Sequence, residues 1–158
     1  MSHQRIKTPC IGRCSTVYGD LVCRGCKRFH YEVVNWNQYA EVEKRAVWGR
    51  LEALLVQVVQ AKLEVFDAQR LRDQLEQRQI RFLAEQSVYC RAYQLIARGA
   101  RAINQLEAYG IALLPEFRDW ELPALRDAID REFFLLSEAH YERYIAPRFL
   151  RGELQMRV

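Results

Sequence analysis

Apolar positions along most of this chain recur at steps of three and four, and the elements they predict are helices. Phe29, Val33 and Trp36 fall at i, i+4 and i+7, a short amphipathic helix that Asn35 and Asn37 break. A long helix starts near Tyr39 to Glu41. Its seam of Val47, Leu51, Leu54, Val58, Ala61, Val65 and Ala68 is heptad-like. Leu55, Val59 and Phe66 widen that stripe, which favours packing inside a bundle over a free coiled coil and leaves a homodimer open. Beyond Ala68 the chain turns polar, and Glu85-Gln86-Ser87 reads as a turn with Ser87 as N-cap. A second helix carries Tyr89, Ala92, Tyr93, Ile96, Ala100, Ile103 and Leu106, with Gly110 as its stop. Residues 111–122, with the apolar run IALLP and Trp120, read as a packed connector. Pro123 suits the first turn of a third helix, which sets Leu125, Ile129, Phe133, Leu136, His140 and Tyr144 on one face and ends at Pro147.

The first thirty residues break this pattern. After a polar lead-in, read as mobile over residues 1–9, four of the five cysteines gather at Cys10, Cys14, Cys23 and Cys26, in the pattern C-x3-C-x8-C-x2-C. Val17-Tyr18 and Leu21-Val22 flank Gly19-Asp20, which predicts a tight hairpin turning at Gly19-Asp20. That hairpin pairs Thr16 with Cys23 and brings the two cysteine pairs to one mouth. The fold class expected is therefore mainly α: a small four-cysteine metal-binding knuckle with a short hairpin over residues 1–37, then an antiparallel helical bundle of about three long helices over 38–158.

Composition decides how the cysteines are read. Half of the 158 residues are hydrophobic and 28% are charged, so a core is available without help from the cysteines. No run of about eighteen apolar residues appears, so no membrane association is expected. The opening MSHQRIKTPC has no apolar stretch of a secretory leader, and a cytoplasmic location is expected. In a reducing compartment four clustered thiols serve a metal rather than two disulfides. Cys90, alone on a helical face, reads as a small core hydrophobe.

Four thiolates make a closed tetrahedral shell for structural zinc, the favoured cofactor, or for an iron–sulfur cluster, the alternative. The spacing is not of the ferredoxin type, which leans towards zinc. The charge is lopsided: the formal excess of +4 all falls within residues 1–52, and Arg5, Lys7, Arg13, Arg24, Lys27 and Arg28 oppose only Asp20 in the first thirty. Arg13, Arg24, Lys27 and Arg28 are candidates to offset thiolate charge or to meet an anion or partner. Counting four thiolates and a divalent ion lowers the local +5 to about +3, so a protein partner is favoured over nucleic acid. His30 could replace one cysteine, but an ordinary helix-surface histidine is the preferred reading. His140 reads as a hydrogen-bonded core residue. No phosphate loop, nucleophile elbow or H-E-x-x-H spacing is present, so no catalytic residue is assigned and an enzyme is not expected.

The run TPCIGRC, the CRGC pair, Trp36 and EKRAVWGRL (Glu43 to Leu51) resemble the bacterial domain of unknown function 1289 family over about residues 8–52. Members such as the YdhL-like proteins are described as predicted iron–sulfur proteins. The resemblance implies that the four cysteines are ligands, and that Trp36 and the Glu43-Lys44-Arg45 helix start are scaffold. It raises the cluster reading and implies no activity. The function expected is a non-catalytic metal-binding interaction or adaptor protein; the alternatives are an iron–sulfur redox or sensor protein and a zinc-knuckle nucleic-acid-binding protein.

Overall fold

A computed structural model describes residues 5–155. It is mainly helical: α1 (His30–Asn35), α2 (Glu41–Gln60), α3 (Ala68–Gln77), α4 (Val88–Gly99), α5 (Leu122–His140) and α6 (Ala146–Leu150). Short 3-10 turns occur at Ser15–Tyr18, Trp36–Gln38, Leu106–Tyr109 and Pro115–Phe117. Two short strands, β1 (Leu63–Val65) and β2 (Ile111–Leu113), pair antiparallel, with Leu63 opposite Leu113 and Val65 opposite Ile111.

The packing divides the chain into two compact units, residues 1–51 with 133–158, and residues 52–132. A boundary at residue 37 is not where this division falls. Segments distant in sequence form the first unit, because Val22 and Phe29 share one core with Tyr141 and Ile145. Such pairing carries no local signal in the sequence.

Local chemistry accounts for the helix starts. Glu43 reaches back to accept from the Ala40 N–H at 3.2 Å, so α2 begins where the sequence placed it. Ser87 caps α4, its side chain accepting from Tyr89 N. Pro123 lies in the first turn of α5, as expected.

Elsewhere the structure corrects the reading. The seam drawn through Val65 and Ala68 stops at Gln60, and the chain then extends as β1. Ala61 is exposed, whereas Leu63 is 1% exposed and faces the core of the second unit. The strand is followed by Asp67, whose side chain accepts from Arg70 N and starts α3, a helix burying Leu71 and Leu75 in a stretch read as polar. The connector Ile111–Leu113 is the partner strand. Helix α4 ends at Gly99 rather than near Gly110, and Gly110 instead closes the 3-10 turn Leu106–Tyr109 at φ +77°. A Cβ there would collide with the Asp67 carbonyl oxygen, and the Gly110 carbonyl accepts from Phe66 N, so this glycine permits the close approach that joins β1 to β2.

The third helix also ends differently. Helix α5 stops at His140 and widens into a π turn, Tyr141–Ile145, before α6. Pro147 sits inside the first turn of α6, where a missing N–H costs least, rather than at a terminus.

In the second unit, Leu63, Leu71, Leu75, Leu95, Ile96, Ile111, Leu125 and Ile129 are all nearly inaccessible to water. Each such side chain contributes about 1.5–3 kcal/mol of transfer free energy, which gives this unit an apolar core of its own. Cys90 is buried in the same unit, and its burial pushes the thiol pKa up to about 12. Lys62, the neighbour of Leu63 in the chain, is buried too, and its ammonium is held by Glu132 at 2.5 Å.

Candidate metal centre

The tight turn of the cysteine region lies at the C-x2-C and not at Gly19-Asp20. Cys23 N donates to Arg28 O and Lys27 N to Cys23 O, each at 2.8 Å, and Val22 bridges Phe29 in antiparallel fashion. Lys27 takes φ +64°, an unusual conformation for a residue with a side chain, which turns the backbone sharply after Cys26. Gly19 does adopt positive φ, +98°, but as the C-cap of the 3-10 turn Ser15–Tyr18, donating to Thr16 O at 3.1 Å. Both a hairpin turn and a helix cap call for glycine there, so the residue type could not separate them.

The turn aims N–H groups at sulfur. Burial alone would raise the Cys23 thiol, but the backbone N–H groups of Cys26, Ser15 and Gly25, with the Cys26 side chain, outweigh it and bring it below its ordinary value. In its thiol form Cys23 can also donate to Arg13 O at 3.4 Å. Cys26 is raised, chiefly by burial, while the Arg28 side chain opposes that rise by donating Nε–H to Cys26 Sγ at 3.2 Å. Gly12 N donates to Cys10 Sγ at 3.4 Å. Cys14 Sγ lies 3.0 Å from Thr16 Oγ1.

These contacts bring Cys23 and Cys26 together and hold the segment around Arg13 and Ser15 against them. Gly25 makes that possible: a Cβ would stand 2.5 Å from Arg13 O. The four sulfurs are not gathered into one shell, and no group of three or more His, Cys, Asp or Glu among the described residues is close enough to hold a metal ion. Donors aimed at sulfur fit thiolate ligands, because a thiolate is a far better acceptor than a thiol. Of the predicted set, Cys23 and Cys26 are buried and met by these donors, whereas Cys10 is exposed and Cys14 half-buried.

The four basic candidates separate by environment. Lys27 and Arg28 are 3% and 4% exposed. Lys27 Nζ donates to Gly25 O and lies 5.4 Å from the Phe133 ring centre. Arg28 stacks on Trp36 at 5.1 Å, and Lys44 approaches the same ring at 5.6 Å. Trp36, buried at 6%, is scaffold of the kind the resemblance implied. Arg13 and Arg24 are exposed. Arg24 pairs with Asp20 at 3.3 Å and lies 4.7 Å over the Phe134 ring. The lead-in is also anchored within its described part: Pro9 is buried and Lys7 O accepts from Trp48 Nε1 at 2.9 Å. Residues 1–4 of that lead-in lie outside the described residues.

Beneath the turn lies a cluster that sequence reasoning missed. Glu32 is buried and takes two hydrogen bonds from the Arg50 guanidinium, at 2.7 and 2.6 Å. It also accepts from Phe29 N at 2.8 Å, half of a capping box for α1. Arg50 lies 3.9 Å over the Phe29 ring, and Phe29, fully buried, packs edge-on against Tyr141. The F-x-x-E spacing signalled the cap; the partner eighteen residues away had no such signal.

The histidines belong to this cluster rather than to the cysteines. His30 Nε2 lies 3.1 Å from Tyr141 Oη and its ring stacks on Phe149, so it is not the helix-surface residue expected. His140 stacks on Phe29 and makes no hydrogen bond through its ring among the described residues, so packing rather than hydrogen bonding holds it. Burial lowers both imidazole pKa values; Arg50 lowers His140 further, while Glu32 opposes the shift at both. A folded pKa below the unfolded value of about 6.5 means the unfolded chain binds more protons below that pH. The stability present above pH ~6.5 is therefore lost as pH falls towards the depressed folded values. We expect NMR titration to show both imidazoles protonating below pH ~6.5; His30 titrating at or above that value would contradict its buried setting.

The site thus defines a mainly helical protein with an N-terminal cysteine turn whose thiols are met by N–H donors and cations. Residues 8–55, the N-terminal third of the chain, match the family model described as Protein of unknown function (DUF1289). No curated protein and no solved structure matches the chain. No helix among the described residues is long and apolar enough to cross a membrane.

Proposed function

We propose that residues 8–36 are a non-catalytic, metal-stabilised interaction module, with Cys10, Cys14, Cys23 and Cys26 as ligands of one structural zinc ion in a reducing, cytoplasmic setting. The observation that supports it is the set of N–H groups directed at Cys23 and Cys26, with Arg28 buried against Cys26 Sγ. A bound zinc would cross-link the stretch from Cys10 to Leu21, which leaves Ile11, Val17, Tyr18 and Leu21 exposed and so has little apolar burial of its own. The chain's own part is to hold thiolates: backbone N–H groups and Arg28 offset their charge, and the Gly25 contact lets the Cys14 segment close on the C-x2-C turn. The helical remainder acts as scaffold, which is the adaptor reading.

An iron–sulfur redox or sensor role on the same cysteines is the second reading. What favours it is the buried Arg28, since N–H···S bonds and nearby cations are means of setting a cluster's potential. Metal analysis of protein purified without oxygen separates the two. We expect a colourless protein with about one zinc per chain. A brown sample with stoichiometric iron and sulfide would replace zinc by the cluster.

A further inference from the structure

Six basic residues precede residue 30, and their surroundings divide them into two sets. Lys27 and Arg28 are buried among the cysteines and aromatic rings. Arg5, Lys7, Arg13 and Arg24 are exposed or nearly so along the chain that leads into and out of the first cysteine pair. The charges that answer the sulfurs are thus not the charges on the surface, and these four outer cations meet only Asp20 as a counter-charge in that stretch.

Between Arg13 and Arg24 the chain runs through the 3-10 turn Ser15–Tyr18. Its last two residues project into water, Val17 at 74% and Tyr18 at 89% exposure. Exposure of that order leaves nearly the whole phenol ring without a packing partner. Three contacts place Arg13 and Arg24 beside it. Arg24 N donates to Ser15 Oγ at 2.8 Å, at the start of the turn. The Arg24 guanidinium meets Asp20, two residues past Tyr18. Arg13 O stands 3.4 Å from Cys23 Sγ, so Arg13 and Arg24 leave the backbone at neighbouring points.

We propose that this turn is a docking surface for single-stranded RNA, with Tyr18 as a stacking platform for an unpaired base and Arg13 and Arg24 as phosphate contacts. The inference rests on reading residues 8–36 as a non-catalytic interaction module and names its partner. The chemistry follows from charge complementarity to a polyanion and from the aromatic face set among the cations, the combination by which single strands are held without base readout. RNA presents unpaired bases in its ordinary folded state, at loops, bulges and ends, and such bases stack on exposed aromatic side chains. Asp20 acts against the contact, because its carboxylate repels phosphate and occupies Arg24.

Fluorescence anisotropy of a labelled twelve-nucleotide oligouridine at low salt tests the surface on the full chain. Binding is expected to weaken about tenfold in Tyr18→Ala, a loss within the range of one stacked base. Asp20→Asn should tighten binding severalfold, which a variant that merely loosened the turn would not do. With two phosphate contacts, affinity should fall with salt at a log–log slope of about −1.4. Absence of binding at ~100 µM protein, or equal affinity in Tyr18→Ala, would overturn the proposal; so would capture of an acidic, leucine-containing peptide in preference to the RNA. Metal content and circular dichroism of the same samples keep the two readings apart. A zinc-loaded, folded protein that ignores RNA refutes the RNA surface alone, whereas RNA binding by a metal-free protein refutes the zinc module alone.

Discussion

Cys23→Ser should abolish stoichiometric metal binding and loosen residues 8–36 while the helices of the 52–132 unit survive. Cys23 is 1% exposed, and its sulfur is the one surrounded by the backbone N–H groups of Ser15, Gly25 and Cys26. A serine hydroxyl stays neutral, so those donors would lose a strong acceptor, and the proposed four-cysteine zinc site would lose a quarter of its shell. Structural zinc contributes about 10–16 kcal/mol in peptides that fold around it, more than a module of this size can replace. The 52–132 unit keeps its own apolar core, with Leu71, Leu75, Leu95 and Ile96 all inaccessible. Hydrogen exchange should show fast exchange of the Cys23, Lys27 and His30 amides beside slow exchange in α4. Loss of all far-ultraviolet helical signal would show instead that the units do not fold independently.

Arg50→Met should destabilise the first unit by about 3–5 kcal/mol, the usual penalty for removing one partner of a buried ion pair. Glu32 has side-chain exposure of only 4% and would keep a single donor, Phe29 N. The guanidinium also covers Phe29 at 3.9 Å, so the change removes packing as well as charge. Pairing it with Glu32→Gln should recover most of the loss, because the amide oxygen still accepts from Phe29 N and no buried charge is stranded. Urea unfolding followed by tryptophan fluorescence suits the test, since Trp36 and Trp48 lie in the first unit. A loss under ~0.5 kcal/mol for the single variant would place the pair among solvated surface contacts.

The sequence by itself determined whatever depends on near neighbours. The start of α2 was legible near Tyr39 to Glu41, where Glu43 accepts from Ala40 N, and that of α4 at the Ser87 hydroxyl. The C-x2-C motif, its basic company and the family likeness over about residues 8–52 were legible, the last matched by the family model over 8–55, because such motifs need particular residue types at short spacing. Where two local structures make the same demand, the sequence could not choose between them. Gly19 satisfies a hairpin or a 3-10 cap, and Val65 and Ala68 prolong a helical seam that Leu63 breaks by burying itself in a strand.

Tertiary structure alone decided the long-range pairings. Leu63 faces Leu113, Arg50 meets Glu32, and Phe29 shares a core with the distant Tyr141. It also decided which cations serve sulfur and which face water, since burial is a property of the fold and not of the residue type. Lysine and arginine at positions 13, 24, 27 and 28 look alike in the sequence. Folding sends Lys27 and Arg28 inward, where the Gly25 carbonyl, the Cys26 sulfur and aromatic rings offset the desolvation of their charge, and leaves Arg13 and Arg24 on the surface.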